Sequence, residues 1–460
     1  MRKLTNLGFD SMDMRFLANN THLESSEEFS KLDINLRRLY AEPYVFRSSL
    51  LDRLPTETPG IYTLGGGRQI GKTTLLKQWM ELLLKQSIPP QSIFFFSGEM
   101  IDDHHALYRL IKDQLASMPG SAKGLRFILI DEVTYIREWD KAIKFLADTG
   151  ELEEVIVLLT GSDLLLMEDA RKRFPGRRGM ADVVDFHYYP LSFREFVDLK
   201  TQQKTKPDDC YPYLEDYLIH GGFMTAINDY AKNKKISTAT LATYSDWIRG
   251  DMSKRNKQEH YLRDIISGII KYYGSQISWD NLAKELTINH TATIADYMNL
   301  LVSMDACFIQ YALLEDKLRA APKKRKKVIF SDPFIYHAMY SWLEPSLSAY
   351  EQQIVLTLSD MQRQSQLIEA MVVSHFRRYA PTYYIKSEGE VDVAYVQNKT
   401  FWPIEIKWRN QQRSSDLKQI LKYPNGVIYA KTKQIGQIEN TPILPLPDAL
   451  YQIETLFENE

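Results

Sequence analysis

The 460-residue chain lacks the features that mark secreted, disulfide-bonded or membrane-spanning proteins. It has only two cysteines, Cys210 and Cys307, far apart and without the spacing of a zinc site. So few thiols argue against a disulfide scaffold and favour a reducing compartment. No apolar run approaches the roughly 20 residues that cross a bilayer. The first residues also lack the apolar stretch of a signal peptide. We therefore expect a cytoplasmic protein with no membrane partner.

The chain also lacks a strong excess of charge of either sign. Its 57 Lys and Arg are balanced by 59 Asp and Glu, which leaves a net charge of −2. This balance gives no overall attraction to nucleic acid, so such binding would depend on local basic patches. Hydrophobic residues make up 44% of the chain, enough to fill several cores. The length predicts two to four domains.

Short apolar runs alternate with longer helical patterns between about residues 43 and 200. The runs are Ile61–Leu64, Ile93–Ser97, Leu125–Ile130 and Val155–Thr160. This alternation predicts an α/β fold with a parallel sheet covered on both faces. The first 42 residues are polar and mixed, with a short helix predicted around Glu27–Tyr40. We interpret them as a lead-in to the first domain.

A glycine-rich segment follows the first run and opens a predicted helix, Thr74–Leu84. It consists of Gly66, Gly67, Arg68, Gln69, Ile70, Gly71, Lys72, Thr73 and Thr74. Glycines let backbone N–H groups surround phosphate oxygens, and the helix N-terminus adds its dipole. Lys72 would reach the β- and γ-phosphates, and Thr73 would ligate Mg²⁺. Strand, loop and helix in this order predict a site that binds and hydrolyses ATP, against the alternative of a chance glycine-rich turn.

Two acids, Asp131 and Glu132, follow the third apolar run. Open α/β sheets bind ligands at the carboxyl ends of their strands. We predict that Asp131 holds the Mg²⁺ shell and that Glu132 polarises the attacking water as a general base. Ser162 follows the next run, where it either orients that water or caps the following helix.

Arg177 and Arg178 lie in a basic loop beyond the fourth run. An arginine that reaches the γ-phosphate stabilises the charge of the transition state, and in oligomeric ATPases a neighbouring subunit often supplies it. Either residue is a candidate for this role, which would require a homo-oligomer; the oligomeric state itself stays open, between a homo-oligomer and a protein partner. A solvated basic loop is the alternative.

Six segments together carry a family resemblance: GGRQIGKTT, FILIDE, LLTGSDLLL, FPGRRG, YYPLSFREF and YLIHGGFMTAI. They resemble the AAA-type (AAA+) P-loop ATPases of bacteria and archaea that carry a C-terminal nuclease-like domain. The resemblance runs from about Tyr44 to Lys407. It implies an ATPase core, then a winged helix, and the ATPase roles given above. The expected parts are a lead-in (1–42), the ATPase core (43–200), a helical lid with the winged helix (201–345), and the nuclease-like domain (346–460).

A helix-turn-helix pattern lies in the third of these parts. Ser278–Leu286 and Thr291–Met304 are predicted helices, and Cys307–Leu314 is a β-rich run, a layout used in DNA binding. The exposed face of the second helix carries no Lys or Arg, so it lacks most of the attraction to phosphate. DNA contact and a purely structural role both stay open. The basic run Lys323–Lys327 would supply phosphate contacts or form a solvated loop.

Two β-rich runs near the end of the chain predict a hairpin with charged groups on one face. If residues 398–399 form a two-residue turn, Asp392 faces Glu405 and Glu390 faces Lys407. Burying acids beside a lysine among apolar residues is costly unless they bind something. Carboxylates at this spacing suit Mg²⁺ or Mn²⁺.

The hairpin resembles the PD-(D/E)XK, or restriction-endonuclease-like, α/β fold. By that resemblance, Glu369 on the preceding helix joins Asp392 and Glu405 as a metal ligand, and Lys407 assists metal-dependent cleavage of a phosphodiester. Val391 stands where the family has proline. A surface hairpin with cross-strand salt bridges is the alternative.

Two functional hypotheses follow. The first is an ATPase coupled to DNA through a nuclease-like domain, in defence against mobile DNA or in its mobility. The second is an ATP-gated switch for a protein partner, with an inert C-terminal scaffold.

Overall fold

The computed structural model describes residues 13–119, 124–172, 174–286, 288, 290–408 and 417–457. The chain folds into two compact units, Met1–Tyr188 and Tyr189–Glu460. The boundary between the units lies at residues 188–189, inside the expected ATPase core of 43–200, so the division into four parts stays a prediction. No helix in the described ranges is both long enough and apolar enough to cross a membrane.

The first unit is built on a five-stranded parallel sheet. Its strands are β1 (Gly60–Gly65), β2 (Ile93–Ser97), β3 (Arg126–Asp131), β4 (Val155–Gly161) and β5 (Asp185–His187). Their order across the sheet is β2-β3-β4-β1-β5. Its α-helices are α1 (Phe29–Leu32), α2 (Ile34–Tyr40), α3 (Lys72–Lys85), α4 (His104–Ser117), α5 (Trp139–Asp148) and α6 (Leu164–Lys172). All residues of β1 and β4 are buried, as expected for strands covered on both faces. The prediction of a parallel sheet is confirmed, and β5 is an additional strand.

The N-terminal segment packs onto this sheet. Phe16 is fully buried, with its ring 5.1 Å from that of Phe96 on β2. The Asn20 amide donates to the Phe95 carbonyl at 2.9 Å and accepts from the Phe95 N–H at 2.8 Å. Because β2 is an edge strand, Asn20 pairs backbone groups that the edge would otherwise leave open. Phe16 and Asn20 therefore belong to the first unit's core, a role that the polar composition of this segment did not indicate.

The second unit begins with helices. They are α7 (Phe193–Thr201), α8 (Tyr211–His220), α9 (Met224–Asn233), α10 (Thr238–Lys254), α11 (Glu259–Lys271), α12 (Trp279–Glu285) and α13 (Thr291–Ser303). Four short strands follow: β6 (Cys307–Tyr311), β7 (Leu313–Leu314), β8 (Arg319–Ala320) and β9 (Lys326–Phe330). After them come α14 (Pro333–Leu343), a π-helix (Tyr350–Val355), α15 (Leu356–Ser359) and α16 (Met361–Phe376).

A six-stranded mixed sheet completes the second unit. Its strands are β10 (Thr382–Lys386), β11 (Glu390–Gln397), β12 (Thr400–Lys407), β13 (Val427–Ala430), β14 (Gly436–Ile438) and β15 (Thr441–Pro445), and α17 (Leu446–Gln452) follows. The order is β10-β11-β12-β13-β15-β14, with β13 parallel to β12 and to β15. The sequence predicted β11, β12 and the helix before them, but not the strands that follow.

The predicted helix-turn-helix elements are present as α12 and α13, followed by the antiparallel pair β6 and β9. The small hairpin β7–β8 packs against the mixed sheet. Ala312, just before β7, bridges Tyr384 of β10, and Leu313 lies in the same apolar cluster as Ile385. At the hairpin tip, Glu315 accepts a hydrogen bond from the Tyr423 hydroxyl at 3.2 Å. The β-rich run that sequence placed as a DNA-binding wing is therefore docked on the C-terminal sheet.

Candidate nucleotide site and C-terminal acidic cluster

The phosphate-binding loop joins β1 to α3, as the sequence predicted. Gly71 has a φ of 99°, in the left-handed region that favours glycine. A Cβ at Gly66 would overlap the carbonyl oxygen of Tyr188, which leaves room for no other residue there. The loop backbone thus requires glycine at two positions of the motif. Tyr188, which sequence reasoning missed, fixes the first of them from the residue after β5.

Lys72 lies inside the loop. Its side chain is 3% exposed, and Nζ donates to the carbonyl oxygens of Gly66 at 3.0 Å and Gly67 at 2.9 Å. Nζ also lies 3.3 Å from Glu132 Oε1. The ammonium therefore occupies the centre of the loop, where a phosphate group would need it.

Asp131 connects the loop to the neighbouring strands. Its Oδ2 accepts from Thr73 Oγ1 at 2.6 Å, and its Oδ1 accepts from Thr160 Oγ1 at 2.6 Å. Burial raises the pKa of Asp131, although these two hydroxyl donors oppose the shift. Thr73 and Asp131 are hard oxygen ligands side by side, which fits a Mg²⁺ shell. Thr160, which the sequence placed only at the end of an apolar run, thus holds one oxygen of Asp131.

Glu132 is held at the end of β3 by its neighbours. Its N–H donates to Thr160 Oγ1 at 2.9 Å, and its Oε2 accepts from Ser162 Oγ at 2.9 Å. Arg68 Nε in turn donates to Ser162 at 3.3 Å. Glu132 has a φ of 53°, an uncommon backbone conformation for this residue type, as is often found at functional sites. Ser162 thus contacts the candidate base, which supports its orienting role over that of a simple helix cap.

Both arginines of the basic loop pair with acids of the first unit. Arg177 forms an ion pair with Asp148 and is partly exposed. Arg178 is more deeply enclosed, pairs with Asp185, and donates to the Val184 carbonyl at 3.0 Å. Neither lies free as the alternative of a solvated loop expected. The role of an arginine that reaches the γ-phosphate stays a prediction. Arg177 is the more exposed of the two, so its ion pair with Asp148 is the easier one to break.

The C-terminal hairpin has the predicted register. Val393 pairs with Ile404, so Asp392 and Glu405 are the next opposed positions. The two turn residues, 398 and 399, have φ of 52° and 58°, which characterises a type I′ turn. Lys407 contacts Glu405, and the Ile406 N–H donates to Asp392 Oδ2 at 2.9 Å. The acids therefore do meet on one face.

One residue in this cluster was not predicted. Lys327 of β9 is 1% exposed, and its Nζ lies 2.6 Å from Glu369 Oε1 and 2.7 Å from Glu390 Oε1. The sequence did not indicate that Lys327 contacts acids, because it is the last residue of a basic run. The prediction that this run reaches phosphate or stays solvated is wrong for Lys327, because its ammonium is enclosed by carboxylates.

Burial and like charge perturb the acids of the cluster. Burial, and to a smaller extent the negative charge of Asp392, raises the pKa of Glu405 to about 9, although the Lys407 ammonium opposes the shift. Burial likewise raises the pKa of Glu369 to about 7, although Lys327 opposes the shift. Burial alone would lower the pKa of Lys327, but the surrounding carboxylates outweigh it and raise that pKa. The cluster thus holds more acid than its two lysines balance.

The predicted metal ligands do not fit a metal as they stand. Within the described residues, no group of three or more His, Cys, Asp or Glu side chains is arranged to hold an ion. Glu369 forms an ion pair with Lys327, and Glu405 forms one with Lys407. Glu405 Oε2 is buried and has no hydrogen-bond partner among the residues that the structure describes. A metal could bind to Glu369, Asp392 and Glu405 only after Lys327 had moved away from Glu369 and Lys407 from Glu405.

Comparisons with known proteins bear mainly on the first unit. A family model described as an AAA domain matches residues 58–197. Two models described as domains of unknown function, DUF8612 and DUF4143, match residues 211–346 and 364–449. The latter two describe no activity.

The curated relatives are distant and uncharacterized. A protein of Haemophilus influenzae is 27% identical over 261 residues, which cover 53% of this chain and 60% of that protein. A protein of Methanocaldococcus jannaschii is 22% identical over 326 residues, 65% of this chain and 66% of that protein. The chain thus spans less than two thirds of the length of either relative.

Similar solved structures include two DNA- or nucleotide-related proteins. The Walker-type ATPase PABY2304 of Pyrococcus abyssi is 14% identical with a TM-score of 0.42, and the match covers 69% of this chain and 95% of that one. The Orc1 protein of Aeropyrum pernix, in complex with DNA, is 13% identical with a TM-score of 0.33 and coverages of 73% and 94%. Likenesses this distant assign no activity. The family match and the geometry of the loop between β1 and α3 agree on the fold: the parallel sheet of the first unit is like that of a P-loop ATPase, and residues 58–197 match an AAA domain.

Proposed function

We propose that this protein binds ATP with Mg²⁺ and hydrolyses it at the phosphate-binding loop of the first unit. The observation that carries the proposal is the hydrogen bond of 2.6 Å between Thr73 on α3 and Asp131 on β3. It joins the loop's hydroxyl to the strand's acid, the two groups that would hold the metal. When bound, Mg²⁺ would neutralise charge on the phosphates.

The chain's own residues supply the rest of the chemistry. Lys72 would exchange its bonds to the Gly66 and Gly67 carbonyls for phosphate oxygens, which also removes it from Glu132. Glu132, freed from that pairing and oriented by Ser162, would accept a proton from the attacking water. The arginine that completes the transition state would come from the basic loop at 177–178 of a neighbouring copy.

A matched pair of lysine variants tests this proposal. Lys72→Ala removes the loop ammonium, whereas Lys85→Ala removes a lysine at the far end of α3 whose side chain is 68% exposed and pairs with Glu81. We expect Lys72→Ala to abolish MgATP binding in calorimetry and phosphate release, and Lys85→Ala to keep both. Equal ATP turnover in the two variants would contradict the proposal.

A second candidate concerns what ATP hydrolysis drives. The enclosure of Lys327 by Glu369 and Glu390, together with the docked hairpin, favours an ATP-gated switch whose C-terminal part is an inert scaffold for a protein partner. The first hypothesis, coupling to DNA through a nuclease-like domain, has the hairpin register and its clustered acids in its favour but, within the described residues, no group of side chains arranged to hold a metal. Phosphate release with and without DNA, and cleavage of DNA with Mg²⁺ or Mn²⁺, separate the two. DNA-stimulated turnover together with cleavage lost in Glu405→Ala would reject the scaffold.

A further inference from the structure

The acidic cluster of the second unit is enclosed by residues from outside the hairpin. Lys327 and Gln310 are paired across β9 and β6. Gln310 Nε2 donates to the Asp392 carbonyl at 2.9 Å, and Lys327 reaches Glu369 and Glu390. The same strand pair therefore delivers both an amide and an ammonium to the cluster.

A further contact comes from Gln276, three residues before α12. Gln276 Nε2 donates to Glu390 Oε2 at 2.5 Å, and its neighbour Ile277 bridges Lys326 of β9. Tyr384 of β10 lies beside the ammonium, with Lys327 Nζ 5.6 Å from its ring centroid. The ammonium is therefore placed by several elements at once, which a chance surface ion pair would not show.

The burial of several acids in one cluster favours a cation beside them. Carboxylates this deeply buried are stable only when paired with a cation or neutralised by protons. A divalent ion and a lysine ammonium meet the same need, but the two cannot share Glu369 Oε1. A metal would sit about 2 Å from that oxygen, where the ammonium at 2.6 Å would repel it.

We propose that Lys327 is the resident cation of this cluster and excludes divalent metal from the Glu369, Asp392 and Glu405 site. The buried, unpartnered Glu405 Oε2 is the coordination position that the lysine does not fill. Without the ammonium, Glu369 loses its ion pair, and the cations that remain beside the cluster among the described residues are Lys407 on Glu405 and Lys386, whose Nζ lies 4.0 Å from Glu390. Removal of Lys327 turns a metal-excluding cluster into a metal-binding one.

Titration of the full-length protein with Mn²⁺ in the absence of nucleotide tests this inference separately from ATP hydrolysis. We expect Lys327→Met to bind one equivalent more Mn²⁺ in calorimetry than the wild type, and Glu405→Gln in that background to remove it. Lys324→Met is the matched control, because Lys324 is an exposed lysine of the same basic run. It should bind as the wild type does.

Three results would overturn the proposal. One is a wild-type protein that already binds a Glu405-dependent Mn²⁺. Another is a folded Lys327→Met that gains no site. If Lys327→Met does not fold without metal, the proposal requires Mn²⁺ to restore its cooperative melting, and failure to do so counts against it.

Discussion

A buried ion pair anchors the N-terminal segment to the helix that begins at the phosphate-binding loop. Lys77 of α3 and Asp33 are 0% and 1% exposed, with Nζ 3.2 Å from Oδ2. Lys77 also donates to the Asn19 carbonyl and lies 3.9 Å from the Phe95 ring centroid. Burial lowers the pKa of Lys77, and the Asp33 carboxylate opposes that shift. Removing Asp33 would leave a charged ammonium in an apolar interior.

The cost of Asp33→Ala follows from two contacts. Breaking a buried pair by removing one partner costs about 3–5 kcal/mol. Asp33 Oδ1 also accepts from the N–H groups of Asn35 and Leu36 and so caps α2, worth about 1 kcal/mol. The sum, about 4–6 kcal/mol, is a large share of the stability of an ordinary domain. We expect the first unit to unfold at much lower denaturant concentration.

Hydrogen exchange of the β1–β4 amides as urea is raised is the appropriate assay, because it reports on the first unit alone. Asp33→Asn keeps an oxygen acceptor for the cap and removes only the charge, so it should lose about 3–5 kcal/mol. Lys77→Met in the Asp33→Ala background should recover part of the loss, because no unpaired charge is then buried. A loss below about 1 kcal/mol in both single variants would refute the reasoning.

Two further predictions concern pH and the position of Asp131. Glu405 keeps its proton up to a pH of about 9 when folded but loses it near 4.5 when unfolded, so the folded state binds more protons between those values. The free energy of unfolding of the second unit should therefore fall as pH rises from about 5 to about 9. Glu405→Gln should reduce this dependence on pH, and an unchanged dependence in the variant would contradict the prediction. Thr160→Val keeps the shape of the side chain but removes bonds to Asp131 and to the Glu132 N–H. We expect kcat for ATP to fall roughly tenfold, about 1.4 kcal/mol in the barrier, with KM little changed; an unaltered kcat would show that Thr160 positions neither acid.

The sequence predicted the parts whose signals are local. The loop motif, the acids at the end of β3 and the apolar strands each lie within a few residues, and the hairpin register follows from its two-residue turn. The partners of the polar residues in the N-terminal segment could not be predicted from the neighbouring sequence. Asn20 pairs with Phe95, and Asp33 with Lys77, only because the fold brings them together.

The same distinction explains the acidic cluster. The hairpin acids were predicted from strand periodicity, but the cation that neutralises them comes from β9, 42 positions before Glu369 along the chain. In the sequence Lys327 is the last of a basic run, and such a run is typical of a solvated surface. Only tertiary structure distinguishes this buried lysine from its exposed neighbours. The basic loop at 177–178 was similarly ambiguous, since its partners Asp148 and Asp185 lie on other elements.

The central claim is that the first unit hydrolyses ATP with Glu132 as the base. The most direct measurement is steady-state phosphate release and MgATP affinity of Glu132→Gln beside the wild type. The variant keeps a side chain that can bond to Ser162, so ATP should still bind with similar affinity. Turnover should fall by about 10²–10⁴-fold, the range for loss of a general base. Turnover equal to that of the wild type, with ATP bound equally well, would contradict the account.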